Sequence, residues 1–174
     1  MSSSLPLLVL GGARSGKSAF AEQLLLETTA APTYLATATA EDDEMKARIE
    51  RHQHQRGQRW HTLEEPIDII ACLTRETDAG RGVLVDCLTL WLSNLFMRDC
   101  DIGRETGNLA AFLAASKRPI VLVSNELGLG LVPETKLGRD FRDAQGQLNQ
   151  KIAAAATTVV FVAAGLPLYL KGAP

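Results

Sequence analysis

Leu5-Pro6-Leu7-Leu8-Val9-Leu10-Gly11-Gly12-Ala13-Arg14-Ser15-Gly16-Lys17-Ser18 is the stretch whose reading decides the fold. Its first part is an apolar run stopped by two glycines, which reads as a strand buried on both faces. Its second part matches G-x-x-x-x-G-K-[ST], and a helix is expected from about Ser18 to Glu27. Between a strand and a helix, that pattern forms a phosphate-binding loop. The glycines let the backbone curl so that its N–H groups face the β- and γ-phosphate oxygens, aided by the positive end of the helix dipole. Gly11, Gly12, Ala13, Arg14, Ser15, Gly16, Lys17 and Ser18 are therefore candidate contacts to a nucleoside triphosphate. Lys17 is expected to reach the β/γ oxygens and Ser18 to ligate Mg²⁺. The bland alternative is a glycine-rich turn that only opens a helix.

Outward from the loop, residues 35–38, 83–86, 120–123 and 159–162 read as further buried strands with amphipathic stretches between them. In the last such stretch Phe141, Ala144, Leu148, Ile152 and Ala155 recur at spacings of three and four, while Arg142, Gln145, Asn149 and Lys151 lie off the stripe. That pattern is a helix with one buried face. Alternating strands and helices imply parallel pairing, hence an α/β, P-loop NTPase fold with a mostly parallel central sheet and helices on both faces. With 174 residues and 46% hydrophobic content the chain fits a single nucleotide-binding domain over residues 1–174. Asp86 closes the strand Val83-Leu84-Val85, at the sheet edge where an acidic residue holds Mg²⁺ directly or through water; the alternative is an N-cap for a helix beginning near Leu88. Ala36, Thr37 and Ala38 end another strand, where small side chains would let a nucleotide approach.

A net charge of -2 with mixed signs gives no electrostatic reason to expect nucleic acid or an anionic membrane as partner. The three cysteines, Cys72, Cys87 and Cys100, lack C-x-x-C spacing and read as reduced thiols of a cytoplasmic protein. No export or membrane-spanning segment is evident.

A second pattern is more specific than the loop. Asp42-Asp43-Glu44-Met45-x-x-Arg48-Ile49-x-x-His52 is followed by Arg56, Trp60, Thr62, Glu64 and Pro66. Asp86-Cys87-Leu88-Thr89, Ser124-Asn125-Glu126-Leu127-Gly128-x-Gly130 and Val132-Pro133-Glu134 come next, then Gly138-Arg139-x-Phe141-Arg142-Asp143 and Gly165-Leu166-Pro167. From about residue 7 to residue 171 the chain thereby resembles the adenosylcobinamide kinase / adenosylcobinamide-phosphate guanylyltransferase family. The stretch from Arg98 to Lys117 is shorter than in the longer members.

The resemblance implies a bifunctional enzyme of cobalamin assembly and a homotrimer. Such an enzyme phosphorylates adenosylcobinamide with GTP or ATP, then transfers GMP from GTP to adenosylcobinamide phosphate through a GMP-histidine intermediate. His52 matches the histidine. A neutral imidazole suits that attack on the α-phosphorus, and Arg48, four residues earlier, would share its face on a continuous helix. A solvated helix histidine is the plain alternative. By the same analogy Gln53, His54, Gln55, Arg56 and the Glu64 carboxylate are candidate nucleotide contacts; a carboxylate can accept from guanine N1–H and N2–H₂ together. Glu64 reads equally well as a solvated acid. The loop after Ser124, with Gly128 and Gly130, is either a substrate-side loop or a plain turn. Two other functional readings are a kinase without a covalent intermediate and a non-enzymatic nucleotide switch or an ATPase engaging nucleic acid. The last would be favoured by an N-K-x-D element or a basic stripe, and the sequence has neither.

Overall fold

The structure is a computed structural model that describes residues 5–38 and 59–172. Seven strands form one sheet: β1 (Leu7–Gly11), β2 (Pro32–Ala36), β3 (His61–Glu64), β4 (Gly82–Asp86), β5 (Ile120–Asn125), β6 (Thr158–Ala163) and β7 (Leu166–Lys171). Their spatial order is β3-β2-β4-β5-β1-β6-β7. All pairings are parallel except β6 with β7, which is antiparallel. Parallel strands must be covered on both faces, and the burial follows. Every residue of β1 is buried, as are the apolar residues of β4 and β5.

The described helices are α1 (Lys17–Thr28), α2 (Ile69–Asp78), α3 (Leu88–Met97), α4 (Ile102–Ala115) and α5 (Lys136–Ala155). They divide unequally. On one face α1 packs Ala21, Leu24 and Leu25 against Leu7, Val9, Leu84, Val121, Val123, Val160 and Val162. On the other, α2 to α5 contribute Leu73, Trp91, Leu92, Leu95, Leu109, Leu148 and Ile152 against Leu8, Leu35, Val85 and Leu122. Among the described helices, α1, which follows the nucleotide loop, thus has one sheet face largely to itself.

Most expected elements form, with shifts at the ends. The second strand covers residues 32–36 instead of 35–38, which leaves Thr37 and Ala38 beyond it. Two strands go beyond the sequence reading, β3 and β7, which are the two sheet edges. On α5, Gln145 and Asn149 lie off the apolar stripe yet are buried, because both bond within a polar cluster at the end of β5.

Candidate nucleotide site

At the carboxyl end of β1 the loop is shaped by backbone contacts. Ser15 N donates to Gly12 O at 3.3 Å, Glu126 N to Gly11 O at 3.2 Å, and Gly165 N to Ser15 O at 2.8 Å. Gly16 takes φ 92, a left-handed conformation that L side chains disfavour, and a Cβ there would sit 3.1 Å from Gly165 Cα. Gly11 is required for a different reason: a Cβ would lie 2.5 Å from both Ser15 Oγ and Val162 O. The loop is therefore pressed between the Glu126 turn and the β6–β7 hairpin.

The loop leaves polar groups free at the start of α1. Gly16 is the N-cap of α1 and supplies no side-chain cap, so the N–H groups of the first turn are left for an anion. Lys17 Nζ donates to Gly12 O at 3.0 Å, which holds the ammonium across the loop mouth. Ser15 Oγ is buried with no hydrogen-bond partner among the described residues.

Asp86 ends β4, and its carboxylate is fixed by Tyr34, whose hydroxyl donates to Oδ2 at 2.5 Å. The N-cap alternative for Asp86 fails, since Cys87 is the N-cap of α3 and makes no side-chain cap bond. Thr37 is fully buried; its Oγ1 donates to Cys87 O at 2.8 Å and accepts from Cys87 N at 3.0 Å. Asn94 Nδ2 then donates to Thr37 O at 2.8 Å. Of the expected contacts Ala36, Thr37 and Ala38, only Ala38 is partly exposed, and Thr37 serves as a brace for the Asp86–Cys87 corner. Burial, with the adjacent Asp86 charge, pushes the Cys87 thiol up to about 11, while Lys17 pulls it down. The thiol is thus neutral near pH 7, and both Asp86 and Lys17 lie within electrostatic reach of it.

Glu64 ends β3 in register with Ala36, which pairs in turn with Asp86. Its side chain is exposed on the edge strand, and four strand spacings separate it from β1, roughly 19 Å at the usual spacing. Glu64 and the phosphate loop therefore lie well apart along the carboxyl ends of the parallel strands. His52, Gln53, His54, Gln55, Arg56 and Arg48 lie outside the described residues, in the connection from β2 to β3.

Beyond β5, Glu126 Oε1 accepts from Gly128 N, which closes a turn. Neither Gly128 nor Gly130 takes a positive φ, so the conformational argument for glycine there does not hold. Sequence reasoning also missed Tyr34 and Asn94, and gave Thr89 no role of its own. No periodicity marks them; each acts through hydrogen bonding to residues distant in sequence.

Over residues 7–170 the sequence matches the family described as cobinamide kinase / cobinamide phosphate guanyltransferase. It is 51% identical over 170 residues to the bifunctional adenosylcobalamin biosynthesis protein CobP of Pseudomonas aeruginosa, covering 96% of this chain and 98% of that protein. The Escherichia coli bifunctional adenosylcobalamin biosynthesis protein CobU is 37% identical over 180 residues, covering 95% and 99%. Among solved structures, the flagellar accessory protein FlaH from Methanocaldococcus jannaschii superimposes with a TM-score of 0.54 at 15% identity, covering 98% of this chain and 79% of that one. A prototypical ATPase from the type III secretion system of pathogenic bacteria gives 0.51 at 14%, covering 94% and 56%. These two likenesses bear on the fold alone.

Proposed function

The chain belongs to the cobinamide kinase / cobinamide phosphate guanyltransferase family, and from that premise we propose how its residues divide the two reactions. It is a bifunctional enzyme of cobalamin biosynthesis, a kinase and a nucleotidyltransferase. In the kinase step the hydroxyl of adenosylcobinamide attacks the γ-phosphorus of GTP or ATP, and the nucleoside diphosphate leaves. Lys17 stabilises charge on the transferred group, and the N–H groups at the start of α1 hold the phosphates. Mg²⁺ would be held by the Ser18 hydroxyl and the Asp86 carboxylate, an all-oxygen donor set that suits a hard cation. The ion would neutralise charge between the β- and γ-phosphates.

In the second step a nitrogen of His52 attacks the α-phosphorus of GTP and pyrophosphate leaves. An oxygen of adenosylcobinamide phosphate then takes the GMP, which restores the imidazole and yields adenosylcobinamide-GDP. Arg48 would steady the phosphate charge. Gln53, His54, Gln55 and Arg56 would line the nucleotide, and Glu64 would read guanine. Supporting this reading, the connection that carries His52 joins the two strands ending at Ala36 and Glu64, and the first of these pairs directly with the strand of Asp86.

We read the assembly as a homotrimer in the cytoplasm. Leu129, Leu131, Val132 and Leu137, with Leu166, Leu168 and Leu170 on β7, are exposed apolar side chains that contacts between copies would cover. Among the described residues, no helix is long and apolar enough to cross a membrane. Light scattering should give three times the mass of one chain.

The braced phosphate loop beside Asp86 is the observation that carries the kinase assignment. The test of the transfer step is incubation with α-labelled GTP and Mg²⁺. The protein should acquire one GMP that is lost in acid and stable in base, as a phosphorus–nitrogen bond requires. His52→Ala should remove the label while cobinamide phosphorylation persists. Label retained in His52→Ala would move the nucleophile to His54 or His61. A wild-type protein that phosphorylates cobinamide without ever taking label would be a kinase alone.

A further inference from the structure

The strand between β1 and β4 is β5, so the residue that ends β5 abuts the gap between the phosphate loop and Asp86. That residue is Asn125, paired in register with Gly11. Strand alternation puts its side chain on the same face as Val121 and Val123, which pack on the α1 side of the sheet with Val9 and Leu84. By the same rule Asp86, two residues after Leu84, faces that side.

The backbone of Asn125 is pinned from two directions. Its N–H donates to Thr89 Oγ1 at 2.9 Å, and its carbonyl accepts from Asn149 Nδ2 at 3.0 Å. Asn149 is held in turn by a buried cluster: Ser124 Oγ donates to Asn149 Oδ1 at 2.7 Å, and Gln145 Nε2 donates to both atoms, at 2.9 Å and 3.0 Å. The next residue, Glu126, donates its N–H to Gly11 O, which ties the strand end to the loop. The side-chain amide of Asn125 makes no hydrogen bond to any described residue, although the residue is half-buried and rigidly mounted. The backbone is held and the amide is unspent, at the end of the strand that lies between the one leading into the phosphate loop and the one ending at Asp86.

We propose that the Asn125 side-chain amide donates a hydrogen bond to the γ-phosphate of the bound nucleoside triphosphate, making it a residue that discriminates triphosphate from diphosphate and stabilises the transferred group. The assignment rests on the kinase reading above for its effect on turnover, but its effect on binding does not need cobinamide.

The experiment compares Asn125→Ala and Asn125→Asp with the wild type. Both substitutions keep the two backbone bonds that position the strand end, so the thermal midpoint should stay where it is. Binding of a non-hydrolysable triphosphate and of the corresponding diphosphate is measured by calorimetry with Mg²⁺. The preference for triphosphate should fall about tenfold in Asn125→Ala, the expected loss of one hydrogen bond to a charged group. In Asn125→Asp it should fall at least as far, because a carboxylate there repels the γ-phosphate. The kcat for cobinamide phosphorylation should drop about 10²-fold, with the KM for cobinamide within about threefold. An unchanged preference in both variants overturns the inference, as does an equal weakening of triphosphate and diphosphate. Wild-type protein inert towards cobinamide would defeat the kinase reading and leave the binding test of Asn125 standing.

Discussion

The two ends of the nucleotide site are built by different means. At β1 the loop is positioned by backbone: three main-chain hydrogen bonds, one left-handed glycine and one glycine whose Cβ would meet Ser15 and Val162. At β4 the corner around Asp86 is positioned chiefly by side chains, with Tyr34 on its carboxylate, Thr37 clasping Cys87 and Asn94 holding Thr37. Backbone construction is compact in sequence, because one short run contains most of what it needs. Side-chain construction draws on residues some fifty positions apart and leaves no local pattern.

That contrast sets the order of expected effects. Lys17→Ala removes the side chain proposed to stabilise charge on the transferred group, and kcat for phosphorylation should fall about 10³-fold or more without loss of fold. Kinase turnover at the wild-type level would refute the loop assignment. Gly11→Ala tests the backbone half directly: the added methyl must displace Ser15 or the Val162 carbonyl, and a shift near 1 Å should cost about 10²-fold in kcat. Retention of full activity would mean that the loop tolerates a looser fit than its contacts suggest.

At the other end, Asp86→Asn replaces the proposed ligand with a neutral amide and should raise the Mg²⁺ needed for half-maximal rate by about tenfold in both steps. An unchanged Mg²⁺ titration would remove Asp86 from the metal site. Tyr34→Phe should have the smallest effect, about fivefold in kcat, since it deletes one hydrogen bond worth about 1 kcal/mol and leaves the carboxylate in place. If Tyr34→Phe proved as damaging as Asp86→Asn, the carboxylate would owe its position to that hydroxyl alone.

The same contrast explains what can be read from the sequence. The β1–loop–α1 unit is legible because its apolar run, glycines and Lys17-Ser18 pair are contiguous. Asp86 is legible because it terminates an apolar run. β3 is not, since His61-Thr62-Leu63-Glu64 is short and lies at a sheet edge where no continuous burial marks it. β7 escapes because Pro167 argues against a central strand; on an edge, proline is tolerated. Gln145 and Asn149 read as the wet face of α5, because periodicity records polarity and cannot show that a polar side chain has a buried partner. His52 comes from resemblance to a family and lies outside the described residues.

The sheet order has a consequence for how the molecule comes into being. β1 comes first in chain order among the seven strands, yet both of its neighbours come late: Leu7 pairs with Val121 and with Thr158. A nascent chain that ends within α4 carries the entire phosphate-loop motif and α1, but offers β1 no strand to pair with and no hairpin to close behind Ser15. Such long-range pairing is slow to form, because chain entropy is lost before the contacts that offset it arrive. Nucleotide affinity should therefore be absent through most of synthesis and arise abruptly once β6 and β7 leave the ribosome, so that triphosphate binding reports completion of the fold.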